Sequence, residues 1–283
     1  MRIVWKWPAL ALVLVLALAA RPASAEQWDR HFDVTARPHV SVEADDGNVH
    51  VTTSDRHEVT VHVESRGWHL GSQLNLEAEQ EGAGIHVSAR TPHGHISFGI
   101  NHTLRIDISM PRDADVEVRT GDGSVEVARV NGRVEVHTGD GGIAVHGARG
   151  DLRLETGDGG IDAEDLDGRL EASTQDGHIL VGGRFDLLDL GSGDGRVIAD
   201  VEPGSLVREA WSLHTGDGSM LLRLPVGFKA NLEAQTSDGH ITMNLPVEFS
   251  GDMSRSHLRG TLNGGGSPLR LHSGDGSIRV ERR

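Results

Sequence analysis

The chain has 283 residues, 37 glycines, no cysteine and a formal net charge of −15. The lack of cysteine excludes a disulfide-stabilised scaffold. The acidic balance disfavours nucleic acids and anionic membrane surfaces as partners, because both are bound through patches rich in Lys and Arg.

The first 25 residues have the pattern of a secretory signal peptide. Arg2 and Lys6 supply a positive start, Leu10 to Ala20 is an unbroken run of Ala, Leu and Val, and Ala23-Ser24-Ala25 is a small-residue cleavage motif. The run of eleven residues is well short of the ~20 that span a bilayer. We therefore expect cleavage before Glu26, no transmembrane segment afterwards, and an exported protein that is periplasmic, extracellular or on the cell surface.

Residues 26–110 are predicted to form an N-terminal β region. Apolar and polar residues alternate over long segments such as Val59 to Val63 and Leu104 to Ile108. Asp46-Gly47, followed by Val49 and Val51, is an early copy of the repeat that follows. We expect a first coil here, with longer strands that widen or cap the end of the domain.

Residues 111–283 contain a repeat built around an Asp-Gly pair, which a further Gly precedes in six of the eight copies. Apolar residues stand six and four positions before each aspartate and three and five positions after it, and the residue two before is always Thr or Ser. The Gly-Asp-Gly group supplies residues that tolerate positive φ, which suits a tight corner. The aspartates are Asp122, Asp140, Asp158, Asp176, Asp194, Asp217, Asp238 and Asp275, with spacings of 18, 18, 18, 18, 23, 21 and 37 residues.

This pattern predicts an all-β, single-domain parallel β-solenoid. Alternation on both sides of a corner indicates two short strands per repeat, each with one buried face. An isolated pair of short strands cannot bury that face, so the copies are expected to stack as coils around one ladder of Val, Leu and Ile. Parallel crossovers are overwhelmingly right-handed, which favours a right-handed β-helix. The 37-residue interval is predicted to be a degenerate coil or a loop.

The sequence also resembles a known family. A strand that ends in Pro, Leu104 to Pro111, is followed by the Thr-Gly-Asp-Gly-Ser-Val turn within Val116 to Val127. This arrangement is similar to the bacterial putative-adhesin family, domains of unknown function with repeated Thr-x-x-Gly-x-Ile turns. The resemblance covers roughly residues 40 to 283. It implies an exported envelope solenoid without established catalytic residues, acting as an adhesin-like binding or scaffold module.

The aspartates of the repeat are candidate calcium ligands. Stacked coils would place neighbouring carboxylates about 5 Å apart, and the spacing of 18 residues is twice the nonapeptide of calcium-binding β-rolls. Those rolls carry Asp in both half-turns, whereas here one corner per coil does. The alternative is an exposed Asp that bonds its own backbone in an Asx-type turn. A calcium-stabilised exported solenoid, with Asp122, Asp140, Asp158, Asp176 and Asp194 as ligands, is the alternative function.

No catalytic residue, cofactor or transition-metal site is predicted. The inward Thr and Ser residues lack the adjacent base and third group that a nucleophile needs. Short loops leave little room for the groove of a carbohydrate-active β-helix enzyme, the least favoured function. His93-Gly-His95 could chelate a metal. The histidines at matching positions, namely His137, His214 and His272, and His178 and His240, do not fall in consecutive coils.

One outward row of side chains is unusually apolar. Four residues after each aspartate the row is mostly small or polar, but three successive coils carry Leu180, Ile198 and Leu221. Two explanations are open. Either another part of the chain, such as the region of Trp68, covers this stripe, or the stripe is exposed and forms a contact surface. The partner would be an envelope protein, a polysaccharide or a second copy.

Overall fold

The computed structural model describes residues 25–91, 102–245 and 249–283, which form strands, turns and loops without a helix. The all-β class is confirmed. Within these ranges no helix is long and apolar enough to span a bilayer. The predicted signal peptide lies outside the described residues except for Ala25, as does the His93–His95 chelate, and both stay predictions.

Twenty-three strands make up the described chain. In order they are β1 (Glu26–Asp33), β2 (His39–Ala44), β3 (Asn48–Ser54), β4 (Glu58–Arg66), β5 (Asn75–Glu81), β6 (Gly84–Arg90), β7 (Thr103–Pro111), β8 (Asp115–Thr120), β9 (Val125–Ala128), β10 (Asn131–Thr138), β11 (Ile143–His146), β12 (Arg149–Thr156), β13 (Ile161–Thr174), β14 (Ile179–Ser192), β15 (Val197–Val201), β16 (Trp211–Thr215), β17 (Met220–Leu224), β18 (Ala230–Thr236), β19 (Ile241–Asn244), β20 (Phe249–Met253), β21 (His257–Leu262), β22 (Pro268–Ser273) and β23 (Ile278–Arg282).

The repeat copies pair in parallel, in the register that the 18-residue spacing predicts. Val134 pairs with Leu152, and Leu152 with Leu170. The strands before each Asp corner form one face, in the order β6-β2-β8-β10-β12-β13-β14-β16-β22-β18. The strands after it form the other, in the order β7-β3-β9-β11-β13-β14-β15-β17-β23-β19. One hydrophobic core fills the space between them, while the right-handed sense stays a prediction.

The first and last coils in sequence are not the end coils in space. β2 and β3 lie between β6/β7 and β8/β9. β22 and β23 lie between β16/β17 and β18/β19. Antiparallel strands cover the ends: β5 on β6, β4 on β7 and β1 on β4 at one end, and β21 on β18 with β20 on β21 at the other. The 37-residue interval therefore holds an antiparallel hairpin as well as the start of the inserted coil.

The corner glycines allow the backbones of neighbouring coils to stack closely. The prediction that they supply residues with positive φ is wrong for the repeat corners. Among the Gly-Asp-Gly and Asp-Gly corners only Gly47 has a positive φ, of 138°. A Cβ placed on Gly141 would lie 2.0 Å from the carbonyl oxygen of Gly123 in the neighbouring coil. Glycine is required because two backbones meet where a side chain would otherwise sit.

A buried hydroxyl ladder ties each corner to the next coil. Thr138 Oγ1 donates a hydrogen bond to the carbonyl of Gly123 at 3.0 Å and accepts one from the Gly141 N–H at 3.2 Å. The same pair of bonds forms at Thr174, Ser192, Thr215, Thr236 and Ser273. In these corners the bond to the corner backbone comes from Thr or Ser, in place of the Asx turn expected of the aspartate.

Candidate binding face

The strands that follow the Asp corners carry the predicted apolar row. Asp162 on β13 pairs with Leu180 on β14, and Leu180 pairs with Ile198 on β15. Ile198 pairs with Leu221 on β17, and Leu221 pairs with Arg279 on β23. Residues on either side of each of these five point into the core, so strand alternation holds all five outward. We call Leu180, Ile198 and Leu221 the aliphatic stripe.

The order of the row differs at one end from the order of the sequence. In sequence, Thr242 follows Leu221 and Arg279 comes last. In the structure Arg279 lies next to Leu221, and Thr242 lies beyond it, because β23 is inserted between β17 and β19. The insertion therefore places a cation, and not a hydroxyl, at the end of the stripe.

The aliphatic stripe is partly buried and borders an open groove. The groove has a volume of about 290 Å³ and is lined by Ile198 and Leu221 together with Arg196, Ser219, Met220, Ser277 and Arg279. Trp68, which the sequence suggested as a cover, stacks on His102 with ring centroids 4.9 Å apart and packs against the core. It follows β4, at the opposite end of the stack from Leu221.

Charges are distributed unevenly around the stripe. Arg223 binds Glu281 at 3.1 Å, and Arg283 binds Asp200 at 2.7 Å. Arg279 is exposed and, among the described residues, has no carboxylate within 4.0 Å. At the other end of the row, Asp162 is exposed, and its carboxylate lies 3.2 Å from the imidazole of His178. Among the described residues, the stripe thus runs from a carboxylate without an Arg or Lys partner to a guanidinium without a carboxylate partner.

The aspartates of the corners lie exposed along one edge. The candidates Asp122, Asp140, Asp158, Asp176 and Asp194 occupy successive coils as predicted. Across the described ranges no three His, Asp or Glu side chains converge as a metal site, whereas calcium takes six or more oxygen ligands. Calcium binding therefore stays a prediction without a ligand set to support it.

Neighbouring corner carboxylates do affect one another. The pKa of Asp46 is raised, first by partial burial and then by the negative charges of Asp122 and Asp45. Asp46 is thus destabilised in its charged form by the stacking that the repeat imposes.

The inserted coil also brings together two histidines that are separated in sequence. His214 on β16 and His272 on β22 are direct cross-strand neighbours. The imidazole of His214 lies over Gly191 of the preceding coil, where a Cβ would meet its Cε1 at 2.3 Å. His240 contacts the hydroxyl of Ser277 at 2.9 Å. Sequence order could not reveal the pair, although both residues stand three before an aspartate.

A second row that the sequence did not reveal alternates acids and histidines at the N-terminal end. It crosses β1, β4, β7, β3 and β9 through Asp29, His62, Asp107, His50 and Glu126. His62 Nδ1 lies 2.7 Å from Asp29, and His50 lies 3.6 Å from Asp107 and 3.7 Å from Glu126. Two of its strands, β1 and β4, are antiparallel strands that cover this end, so no single repeat contains the pattern.

Comparison with known proteins places these features in a wider group. The family model described as Toastrack DUF4097 matches residues 37–281. A solved "putative lipid binding protein" from Parabacteroides distasonis is 15% identical with a TM-score of 0.51, covering 90% of this chain and 96% of that chain. A "putative adhesin" from Bacteroides fragilis is 11% identical with a TM-score of 0.45, covering 93% and 100%. No functionally curated protein matches. At such identities the first structure shows a shared fold alone.

Proposed function

The chain belongs to the Toastrack DUF4097 family, and we propose that it is a non-catalytic binding module of the bacterial envelope. The proposal starts from this family, the adhesin-like domains of unknown function that the sequence resembles. It is exported through its N-terminal signal peptide and works in the periplasm or at the cell surface. Its flat strand faces engage a partner, and the aliphatic stripe is the contact site.

The observation that carries the proposal is the stripe itself. Three adjacent coils hold aliphatic side chains at an outward position where the neighbouring coils hold Asp162, Arg279 and Thr242. Completing the burial of these partly buried side chains is worth roughly 1–2 kcal/mol in total. That is too little for a stable complex, so the charged residues at the ends of the stripe must contribute to any specific contact.

The hydroxyl groups of the repeat support a non-catalytic role. Six of the eight inward Thr and Ser residues both donate to a backbone carbonyl and accept from a backbone N–H, as Thr174 does at 3.0 and 3.1 Å, and the other two, Thr120 and Thr156, donate to backbone carbonyls. A nucleophile needs a free hydroxyl beside a base. The ladder hydroxyls of the described coils are bonded to backbone instead.

Binding to isolated envelopes tests the proposal. The labelled protein is titrated onto envelopes of the producing bacterium, and Ile198→Asp is compared with Ser173→Asp. Ser173 is an exposed outward residue on the part of β13 that precedes its corner, away from the stripe, so both variants add one surface charge. We expect Ile198→Asp to lower binding by at least about tenfold, since a carboxylate would be desolvated in the contact, and Ser173→Asp to bind like the original protein. Equal binding by the two variants would contradict the proposal.

A further inference from the structure

The row that contains the aliphatic stripe is complementary to itself when its direction is reversed. Asp162 and Arg279 each lie two coils from the central Ile198, on opposite sides. Leu180 and Leu221 each lie one coil from it. With strands about 4.8 Å apart, the carboxylate and guanidinium ends are roughly 19 Å from each other.

We propose that this face pairs with the same face of a second copy of the chain. The two-fold axis runs parallel to the strands and passes over Ile198, so it reverses the direction of stacking in the second copy. Leu180 then packs on the partner's Leu221, and Asp162 meets the partner's Arg279. Both contacts occur twice, as an isologous interface requires.

The charges of the molecule favour this occupant. A chain with a net charge of −15 repels its copies over most of its surface, so association needs a place where a cation is free. Arg279 is such a cation, at the end of a groove of mixed polarity whose aliphatic lining comes from Ile198 and Leu221. The reversed partner brings a leucine and then a carboxylate to that groove.

The rows beside the stripe set an upper limit on affinity. Asp200 faces its own counterpart across the axis, but Arg283 already neutralises it at 2.7 Å. Arg196 also faces its counterpart, and because it is exposed this repulsion is screened by salt. A contact limited to this row, roughly 19 Å long, would bury less than the about 800 Å² per partner of a standard interface, so we expect a dimer of micromolar or weaker affinity.

Charge reversal provides a test in which symmetry makes the outcomes distinct. The purified protein is examined by sedimentation velocity over a range of concentrations, together with Asp162→Arg, Arg279→Asp, the double variant and an equimolar mixture of the two single variants. Each single variant places like charges at both symmetry-related contacts, so dimerisation is expected to weaken by on the order of tenfold or more. The double variant and the mixture restore opposite charges, and both are expected to dimerise.

Each outcome decides the matter. A wild-type protein that stays monomeric, single variants that dimerise unchanged, or a mixture that does not recover would each overturn the pairing. Thermal melts of the variants show whether a loss comes from unfolding. The pairing rests on the proposed function because it uses the same stripe, yet the two fail separately. A monomer that still binds envelopes through Ile198 overturns only the pairing, whereas a dimer without envelope binding overturns only the envelope contact.

Discussion

Replacing Gly141 by Ala tests the physical reason for the corner glycines. The added Cβ would lie 2.0 Å from the carbonyl oxygen and 2.4 Å from the carbonyl carbon of Gly123. Both atoms belong to backbone, so neither can rotate away. Bringing the contact out to about 3 Å requires the two corners to separate by about 1 Å.

That separation would break the bonds that join the two coils. The Thr138 hydroxyl lies 3.0 Å from the Gly123 carbonyl, and the Gly139 N–H donates to the Gly121 carbonyl at 2.7 Å. A further 1 Å takes both beyond hydrogen-bonding distance. The loss of two hydrogen bonds at about 1 kcal/mol each, together with about 1–3 kcal/mol for overpacking, should lower the free energy of unfolding by roughly 3–5 kcal/mol.

The adjacent glycine supplies the matched control. A Cβ on Gly142 would lie 3.4 Å from the Gly160 carbonyl, an ordinary contact, and other coils carry Ser, His or Arg at this position. Gly142→Ala should leave stability unchanged or raise it by up to about 1 kcal/mol, since Ala reduces the freedom of the unfolded chain. Denaturation in guanidinium, followed by circular dichroism, measures both midpoints. If the free energies of unfolding of the two variants differ by less than about 0.5 kcal/mol, close stacking of the backbones is not the reason for glycine at the corners.

Three further outcomes follow from the same architecture. Thr174→Val leaves the Gly177 N–H and Gly159 carbonyl without their hydroxyl partner and should destabilise by about 1–3 kcal/mol, whereas Thr174→Ser should melt close to the original protein; equal melts for Val and Ser would count against the ladder. Because the pKa of Asp46 is raised, the carboxyl group binds a proton more tightly in the folded protein than in the unfolded chain. Its ionised form therefore lowers the stability of the fold at pH values above the folded pKa, and this loss disappears as the pH falls through that pKa. Asp46→Asn should raise the melting temperature at neutral pH but not at a pH below the usual pKa range of aspartate, and a difference that does not depend on pH would refute this. Deleting residues 268–283 removes β22 and β23 with four buried aliphatic side chains, roughly 6–12 kcal/mol of burial, and should abolish cooperative unfolding; a shortened chain that melts like the whole would contradict the inserted position of this coil.

The stacking register was predictable because the repeat encodes it locally. Val134, Leu152 and Leu170 stand at one offset from successive aspartates, and they pair as that offset requires. The role of the corner glycines was not predictable. A backbone with positive φ and a backbone that touches its neighbour both exclude a Cβ, so a glycine in the sequence does not distinguish them. Only the position of the adjacent coil does.

The order of the coils could not be obtained from the sequence either. Every coil presents the same inward pattern, so the edge of β17 accepts β23 as well as it would accept β19. What selects β23 is the antiparallel hairpin of β20 and β21, which occupies the far edge of β18 and leaves its near edge for β22. The neighbours His214 and His272, and the position of Arg279, are consequences of that choice and are invisible to an alignment of repeats.

The covered ends also bear on how copies can meet. A stack of parallel strands would leave open edges on which another copy could grow. At the N-terminal end those edges are taken by antiparallel strands, and β5 carries Glu77, Glu79 and Glu81 at the margin. Two such ends would bring like charges together, so end-to-end growth is opposed there by charge. Association through the face of the aliphatic stripe instead brings the cation at one end of the stripe to the acid at the other. Of the like charges that meet there, Asp200 is neutralised by Arg283 and the exposed Arg196 is screened by salt.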